Sequence, residues 1–352
     1  MTHVSAIAKA VGHLRLDFGD GASKVPGSLS AVEQIKDTLW LAGDETASVE
    51  RLITTDYANF GSHTSFALKD FFNLPGGDEQ EADLEGLAVD QERNRLWLVG
   101  SHSLRRSQPK PGQSSKQAAA ALSSVSRQAN RYLLGYIKLN SEGKVDPIHG
   151  SGRCLQFDYS ESSFVKMLGS DSGLSPFLSI PSKDNGLDIE GLAVSNGMIF
   201  IGLRGPVLRG WASVLQLSLE HVGQGILVPR PSKPLGRCYL QHLLDLGGLG
   251  IRDLCVDGDD LLILAGPTMA LDGPITLFRW RHAFGATRDM FVDNATLQRL
   301  FDIPWGSHVD HAEGIALFRP EGHDPHLLVV YDSPCKNRLH HGKYFEADLF
   351  VI

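Results

Sequence analysis

The sequence predicts an all-β chain built from repeated four-stranded units, and three observations carry that expectation. A heptad recurs: Asp188-Ile189-Glu190-Gly191-Leu192-Ala193-Val194 is nearly repeated at Asp83-Leu84-Glu85-Gly86-Leu87-Ala88-Val89, and again at His311-Ala312-Glu313-Gly314-Ile315-Ala316-Leu317 with His for Asp. Each copy runs through a short polar turn into a second apolar stretch, the pattern of an antiparallel hairpin. Two weaker copies, Gly250-Ile251-Arg252-Asp253-Leu254-Cys255-Val256 and Leu29-Ser30-Ala31-Val32-Glu33-Gln34-Ile35, bring Arg252 and Ala31 to the place where the others carry Glu. Regular recurrence of one supersecondary unit points to a β-propeller, in which each sheet packs on its neighbours around a central channel.

Alternation and β-branched or aromatic content then place the strands in order. The first unit reads as strands at 30–35, 39–43, 49–54 and 65–72, the second at 85–89, 95–100, 132–139 and 154–159. The third occupies 190–194, 198–202, 212–219 and 238–246, and the fourth 252–256, 261–265, 275–280 and 297–303. The fifth supplies only 313–318, 327–331 and 344–351. Its missing strand is His13-Leu14-Arg15-Leu16-Asp17-Phe18, which resembles the fourth-strand sequence Cys154-Leu155-Gln156-Phe157-Asp158-Tyr159. An N-terminal strand that completes the last sheet closes the ring and removes exposed edges. The expectation is therefore a single domain over 1–352, a five-bladed β-propeller closed by the N-terminal strand. A sixth, degenerate blade within 131–183 is the alternative, disfavoured by the Ser, Gly and Pro content that runs on to Gly186.

An insert at 103–131 separates the second and third strands of the second unit. It begins as a Pro/Ser-rich basic loop and continues over 115–130 with helical propensity, including an alanine run. From 101 to 131 there are six basic residues and no acid, which leaves the rest of the chain at about −14 against a net charge of −8. That balance argues against nucleic acid as a partner, since such binding rests on clustered Lys and Arg. No apolar run approaches the roughly 20 residues of a membrane helix, and Met1 to Lys9 lack the layout of a signal peptide, so a cytoplasmic protein without membrane contact is expected. The four cysteines are widely spaced, which predicts reduced thiols rather than a disulfide framework or a zinc knuckle.

Propeller geometry converts sequence position into location. The starts of the inner strands and the ends of the second strands share one mouth, which gathers Glu85, Glu190, Arg252 and Glu313 with Asp44, His102, Arg204 and Asp332. The connections add Asp83, Asp188, His308, Asp310 and His311, and the insert adds Arg105, Arg106 and Lys110. Converging carboxylates suit a hard cation, and Arg supplies the planar fork that recognises phosphate or carboxylate. Glu85, Glu190 and Glu313 are the expected metal ligands, with Ca or Mg as the cofactor. Glu190, Glu313 and His311 are the candidates for catalysis. Arg204, Arg209, Arg252, His102 and Arg105 are the candidates for holding a small anionic, phosphorylated ligand. Arg204 and Arg209 lie in the Gly/Pro-rich stretch from Gly202 to Gly210, an arrangement suited to a rigid clamp. No G-x-S-x-G elbow or phosphate-binding Gly-rich loop is present, which removes those nucleophilic and nucleotide classes.

The heptad at 188–194, the stretch 202–212, Gly100-Ser101-His102-Ser103 and Arg131-Tyr132-Leu133-Leu134-Gly135 together resemble a family of bacterial proteins classed as a domain of unknown function, over most of the chain. More distantly, Asp-x-Glu-Gly-Leu-Ala is similar to a motif of phytase-like and esterase-like propellers. That likeness implies an acidic mouth and calcium-assisted hydrolysis of a phosphoester, whereas this chain has Ala31 and Arg252 at two ring positions and no dense acidic cluster. A hydrolase of a small anionic compound is the resulting expectation. The alternative is a non-catalytic ligand-sensing or protein-docking propeller in which the Glu and Arg residues pair with one another.

Overall fold

Strands dominate the computed structural model, which describes residues 7–21, 24–145, 151–160, 162–231 and 236–352. The first six residues of the expected leaderless start lie outside that set. Each heptad forms an inner strand: Leu29–Ile35, Leu84–Asp90, Asp188–Ser195, Gly250–Asp257 and His311–Phe318. Each pairs antiparallel with the strand that follows it, Thr38–Gly43, Arg95–Gly100, Met198–Gly205, Asp260–Gly266 and His326–Asp332. The inner strands pack against one another in chain order, and His311–Phe318 returns to Leu29–Ile35, so the arrangement closes on itself. The architecture is all-β and propeller-like. Apolar layers fill the spaces between neighbouring sheets, one of them built around Trp40, Phe66, Phe71 and Tyr132 and another around Trp97, Tyr136, Phe164 and Ile201.

The sheets are not a set of equal four-stranded units, and the differences have one cause. The outer edge of a sheet presents unpaired backbone groups, and here other segments cover those edges. Gly12–Asp17 completes the last unit by antiparallel pairing with Tyr344–Phe350, from Gly12 opposite Leu349 to Asp17 opposite Tyr344. The same strand pairs in parallel with Asn59–Ala67 of the first unit, which merges the two units into one nine-stranded sheet. Ile226–Pro229 reaches from the third unit to Arg153–Leu155 of the second. Met290–Val292 reaches from the fourth unit to Leu240–Asp245 of the third. Ile7 forms a parallel bridge with Asp302 at the edge of the fourth. An ion-pair and hydrogen-bond cluster pins the closure: Asp348 accepts from Tyr331 Oη at 2.7 Å, from Arg338 at 3.1 Å, and lies 2.7 Å from His13 Nδ1.

Three expected elements differ. The fourth strand of the first unit is Asn59–Ala67, and the apolar run after it turns into a 3-10 segment, Leu68–Asp70. Leu68, Phe71 and Phe72 are buried between sheets, so an apolar run that reads as strand is in fact a core-filling turn. The region of the alternative sixth blade holds Leu134–Lys138 and Arg153–Leu155 of the second sheet and a short helix, Ser163–Leu168; residues 146–150 and 161 lie outside the description. The insert is a hairpin of Leu104–Arg106 and Val125–Arg127 that carries the helix Ser115–Ser123. Ser114 and Gln117 form a capping box at the start of that helix, none of whose residues is buried. No helix among the described residues is long and apolar enough to cross a membrane. All four cysteines are free.

The heptad glycine is dictated by this packing. A Cβ on Gly86 would stand 2.7 Å from Leu192 Cβ of the next inner strand and 2.9 Å from Val99 Cγ1, and one on Gly314 would stand 2.9 Å from Ala31 Cα. Overpacking of this kind costs about 1–3 kcal/mol. Gly86→Ala is expected to lower unfolding stability by that amount, read as a shift in denaturation midpoint with little change in its slope.

Candidate functional site

Every inner strand carries a β-bulge at the same place. Leu84 lies opposite Gly100 and Gly86 opposite Val99, so Glu85 has no cross-strand partner. The pairing skips Glu190, Arg252 and Glu313 in the same way. In the first unit the skipped residue is Ser30, between Leu29 and Ala31. The fifth ring position therefore belongs to Ser30 and not to Ala31, a shift of one residue that the weak heptad could not reveal. A bulge twists the strand and re-aims one side chain. Here it gathers the Glu-position side chains at one mouth of the channel. Arg204 is itself skipped in the strand opposite Asp188 and Ile189, which turns it into the same space.

Charge pairing inside the mouth is extensive. Arg204, 3% exposed, bonds Asp188 and lies 2.5 Å from Glu190 Oε1. Arg252 bonds Glu313 and stands 3.4 Å from the second oxygen of Glu190. Arg131 lies 2.5 Å from Glu81 and 2.8 Å from Asp83. The heptad Asp is thus an Arg-holding residue in two units; in the last unit His311 takes its place. Burial pushes the Glu190 carboxyl up, and Arg204 and then Arg252 pull it back.

Glu85 stands apart. It is 9% exposed, no ion pair or hydrogen bond engages it among the described residues, and it faces a cavity of about 700 Å³. Burial raises its pKa well above the ordinary carboxyl range, and the charges of Asp83, Glu190, Glu313 and Asp44 raise it further. Asp44, on the same cavity, is pushed up to about 8 by burial and then by Asp332 and Glu313. Its Oδ1 is buried without a hydrogen-bond partner. The cavity runs from these acids to Arg105 and Lys110 of the insert and to Lys183 in the connection to the third unit. Arg105 approaches Glu81 at 3.4 Å, and Arg106 ties the insert to Asp184 at 2.6 Å.

The structure gathers Glu85, Glu190, Arg204, Arg252 and Glu313, with Asp44, Asp83, Asp188, Arg105, Arg106 and Lys110 on the cavity beside them, and it places His102, Arg209, His308, Asp310 and His311 elsewhere. His102 is buried in the sheet, its Nδ1 2.9 Å from the Gly100 carbonyl oxygen and its ring edge-on to Tyr132 and Phe164. Burial lowers its pKa to about 4, so it is a neutral core histidine and not a ligand contact. Arg209 sits in an exposed turn at φ +50°, outside the cavity lining. His311 and His308 lie 3.3 Å from Asp272, and Asp310 accepts from Cys335 N and Arg338, so this stretch braces loops. Among the described residues no three His, Cys, Asp or Glu side chains are arranged to hold a metal ion, and Glu190 and Glu313 each commit one oxygen to a close arginine contact, while Glu190 Oε2 is buried without a hydrogen-bond partner. Sequence reasoning missed Glu81 and Lys183, which lie in connections and carry no repeat signal.

The family model described as "Protein of unknown function (DUF3616)" matches residues 28–348, and the chain belongs to that family. No curated protein matches the chain. Among solved structures it is similar to glutaminyl cyclase from Myxococcus xanthus, at 10% identity over 98% of this chain and 97% of that one, with a TM-score of 0.42. It is similar to the PQQ-bound aldose sugar dehydrogenase of Streptomyces coelicolor, at 13% identity over 97% and 99%, with a TM-score of 0.41. An exo-β-1,3-galactanase from Phanerochaete chrysosporium gives 9% identity and a TM-score of 0.45, with 98% of this chain matched to 64% of that one. Likeness at this level carries no argument about activity, and the similarity to phytase-like propellers rests on the heptad alone.

Two expectations follow from the site. Arg204→Met leaves Asp188 and Glu190 buried without their cation and should cost about 3–5 kcal/mol, part of which Glu190→Gln in the same chain restores. The second concerns Asp44, whose raised pKa makes its stability contribution greatest below the ordinary carboxyl pKa of about 4, falling as pH rises towards about 8 and flat beyond. Asp44→Asn should therefore raise the melting temperature by a few degrees at pH 9 and by less at pH 5.

Proposed function

We propose that this member of the family is a five-bladed propeller that binds a small phosphorylated compound in the mouth and hydrolyses it, with Glu85 as the proton-handling group. The observation that carries the reading is Glu85 itself: a carboxyl that lines a polar cavity with no cation paired to it, where burial and the neighbouring acids favour its protonated form. Acid–base groups are tuned in this way, by burial and like charge. Lys110, Lys183 and Arg105 line the far side of the cavity and supply the anion contacts. In the step proposed, the oxygen of a water bonds to phosphorus, the bond from phosphorus to the leaving oxygen breaks, and Glu85 gives that oxygen its proton; the proton lost by water restores Glu85. Arg204 and Arg252 act by fixing Glu190 and Glu313, and no step runs through a metal. Four free thiols fit a reducing compartment such as the cytoplasm.

A non-catalytic, ligand-sensing propeller is the second reading. It is favoured by the pairing of Arg131, Arg204 and Arg252 with acids, which makes that part of the mouth a structural clamp.

Phosphate release from a panel of small aliphatic phosphate esters, run with calcium, with magnesium and with chelator, tests the proposal. Turnover should survive chelation and fall at least about 100-fold in Glu85→Gln, with the folded state retained. Ligand-induced thermal stabilisation without turnover would favour the sensor, and turnover that depends on added metal would restore the cation reading.

A further inference from the structure

Once the paired charges are set aside, the cavity at the mouth is bipolar. Glu81 and Asp83 belong to Arg131, and Asp188 to Arg204. The acids left over are Asp44, Glu45 and Glu85, from the end of the second strand of the first unit and the bulge of the second. The cations left over are Lys110 on the insert and Lys183 in the connection to the third unit. Neither lysine comes within ion-pair distance of those acids, although all five residues line one space of about 700 Å³. Among the described residues the lining has no aromatic side chain, and its apolar members are Pro109 and Pro111. Small-molecule pockets are usually lined mainly by apolar and aromatic groups, so this one offers little to a nucleobase, an acyl chain or an aromatic ester.

We infer that the ligand is a short zwitterion, with an ammonium group that meets Asp44 and Glu85 and a phosphate that meets Lys183 and Lys110. This rests on the phosphate-ester reading above and adds the second charge to it. Two features call for a cation at the acidic wall. Glu85 is nine-tenths buried, faces the cavity and has no partner, while one oxygen of Asp44 is buried and unsatisfied. An ammonium supplies three donors and the missing charge, and hydrogen bonds to ionised groups are the stronger kind. A ligand bearing phosphate alone would bring no cation to either carboxyl. The ammonium also turns the two acids into carboxylates, so Glu85 changes from proton donor to proton acceptor when the ligand is in place and is then set to take the proton of the attacking water. In the ammonium-bearing complex this reverses the order of Glu85's two proton transfers: it takes the water's proton and then passes it to the leaving oxygen.

Calorimetric titration of the intact chain with phosphoethanolamine, ethyl phosphate and ethanolamine separates the outcomes. The zwitterion should bind roughly tenfold or more tighter than either singly charged probe, with net proton release at neutral pH. Asp44→Asn should abolish the advantage over ethyl phosphate, and Lys183→Met should weaken phosphoethanolamine and ethyl phosphate together, melting temperatures serving as the check on folding. Equal affinity for ethyl phosphate and phosphoethanolamine would overturn the inference and leave the phosphate-ester reading intact. Tightest binding of ethanolamine, or binding of none of the three, would overturn both.

Discussion

Inner strands that converge on one axis cannot carry full side chains wherever they touch, and this crowding sets the rest of the structure. Gly86, Gly191 and Gly314 lie where a Cβ would meet an atom of the neighbouring inner strand at 2.9 Å or less. The residue before each glycine is the one the ladder skips. Close approach and bulge are thus consecutive, and the bulge re-aims the Glu side chain into the only unfilled space nearby, the mouth. A packing requirement of the propeller-like core therefore positions the groups with chemical potential. The fourth inner strand shows the same constraint solved differently, with Asp253 at the glycine place, its carboxylate accepting the Ile315 amide of the next strand at 2.8 Å.

Bringing several carboxylates together without water would be prohibitive, and the chain divides them into two groups. Most are matched: Asp83 by Arg131, Asp188 and Glu190 by Arg204, Glu313 by Arg252. Such pairs repay their desolvation only when the geometry is good, which the forked arrangement of Arg204 between two acids provides. Glu85 and Asp44 are left unmatched, and burial with like charge pushes both towards the protonated form instead. The matched group gives a rigid frame, and the unmatched pair lines the cavity.

Much of this was legible in the sequence because the repeat is spelled in residues whose positions are fixed by packing. The hairpins, the strand 297–303 and the N-terminal closing strand all follow from alternation and from the missing fifth-unit strand. The failures have physical reasons too. Ser30 was hidden because the first unit keeps neither the Glu nor the Gly, so register had no anchor. The apolar run at Phe66–Phe72 does not distinguish a strand from a buried turn. His102 was drawn into the mouth by its place after a second strand, but its positive φ of 54° turns it back against Tyr132 and Phe164. Lys183 comes from a connection whose spacing follows no repeat.

The same channel has a second opening, and the two differ in the connections that reach them. At the opposite end, a cavity of about 460 Å³ is lined by the far ends of the inner strands, among them Val89, Val194 and Val256, together with Glu33, which burial pushes up to about 8, Lys36 and Arg319. Short turns, such as the one between Ser195 and Met198, follow there. The mouth with Glu85 instead receives the longer connections: the insert with its hairpin and helix, and the 3-10 segment Ser182–Asp184. Short turns complete a fold, while long connections can bring charge of the opposite sign to a site. At that end buried acids from the repeat meet cations brought by the insert and by the connection to the third unit, on one ligand-sized space.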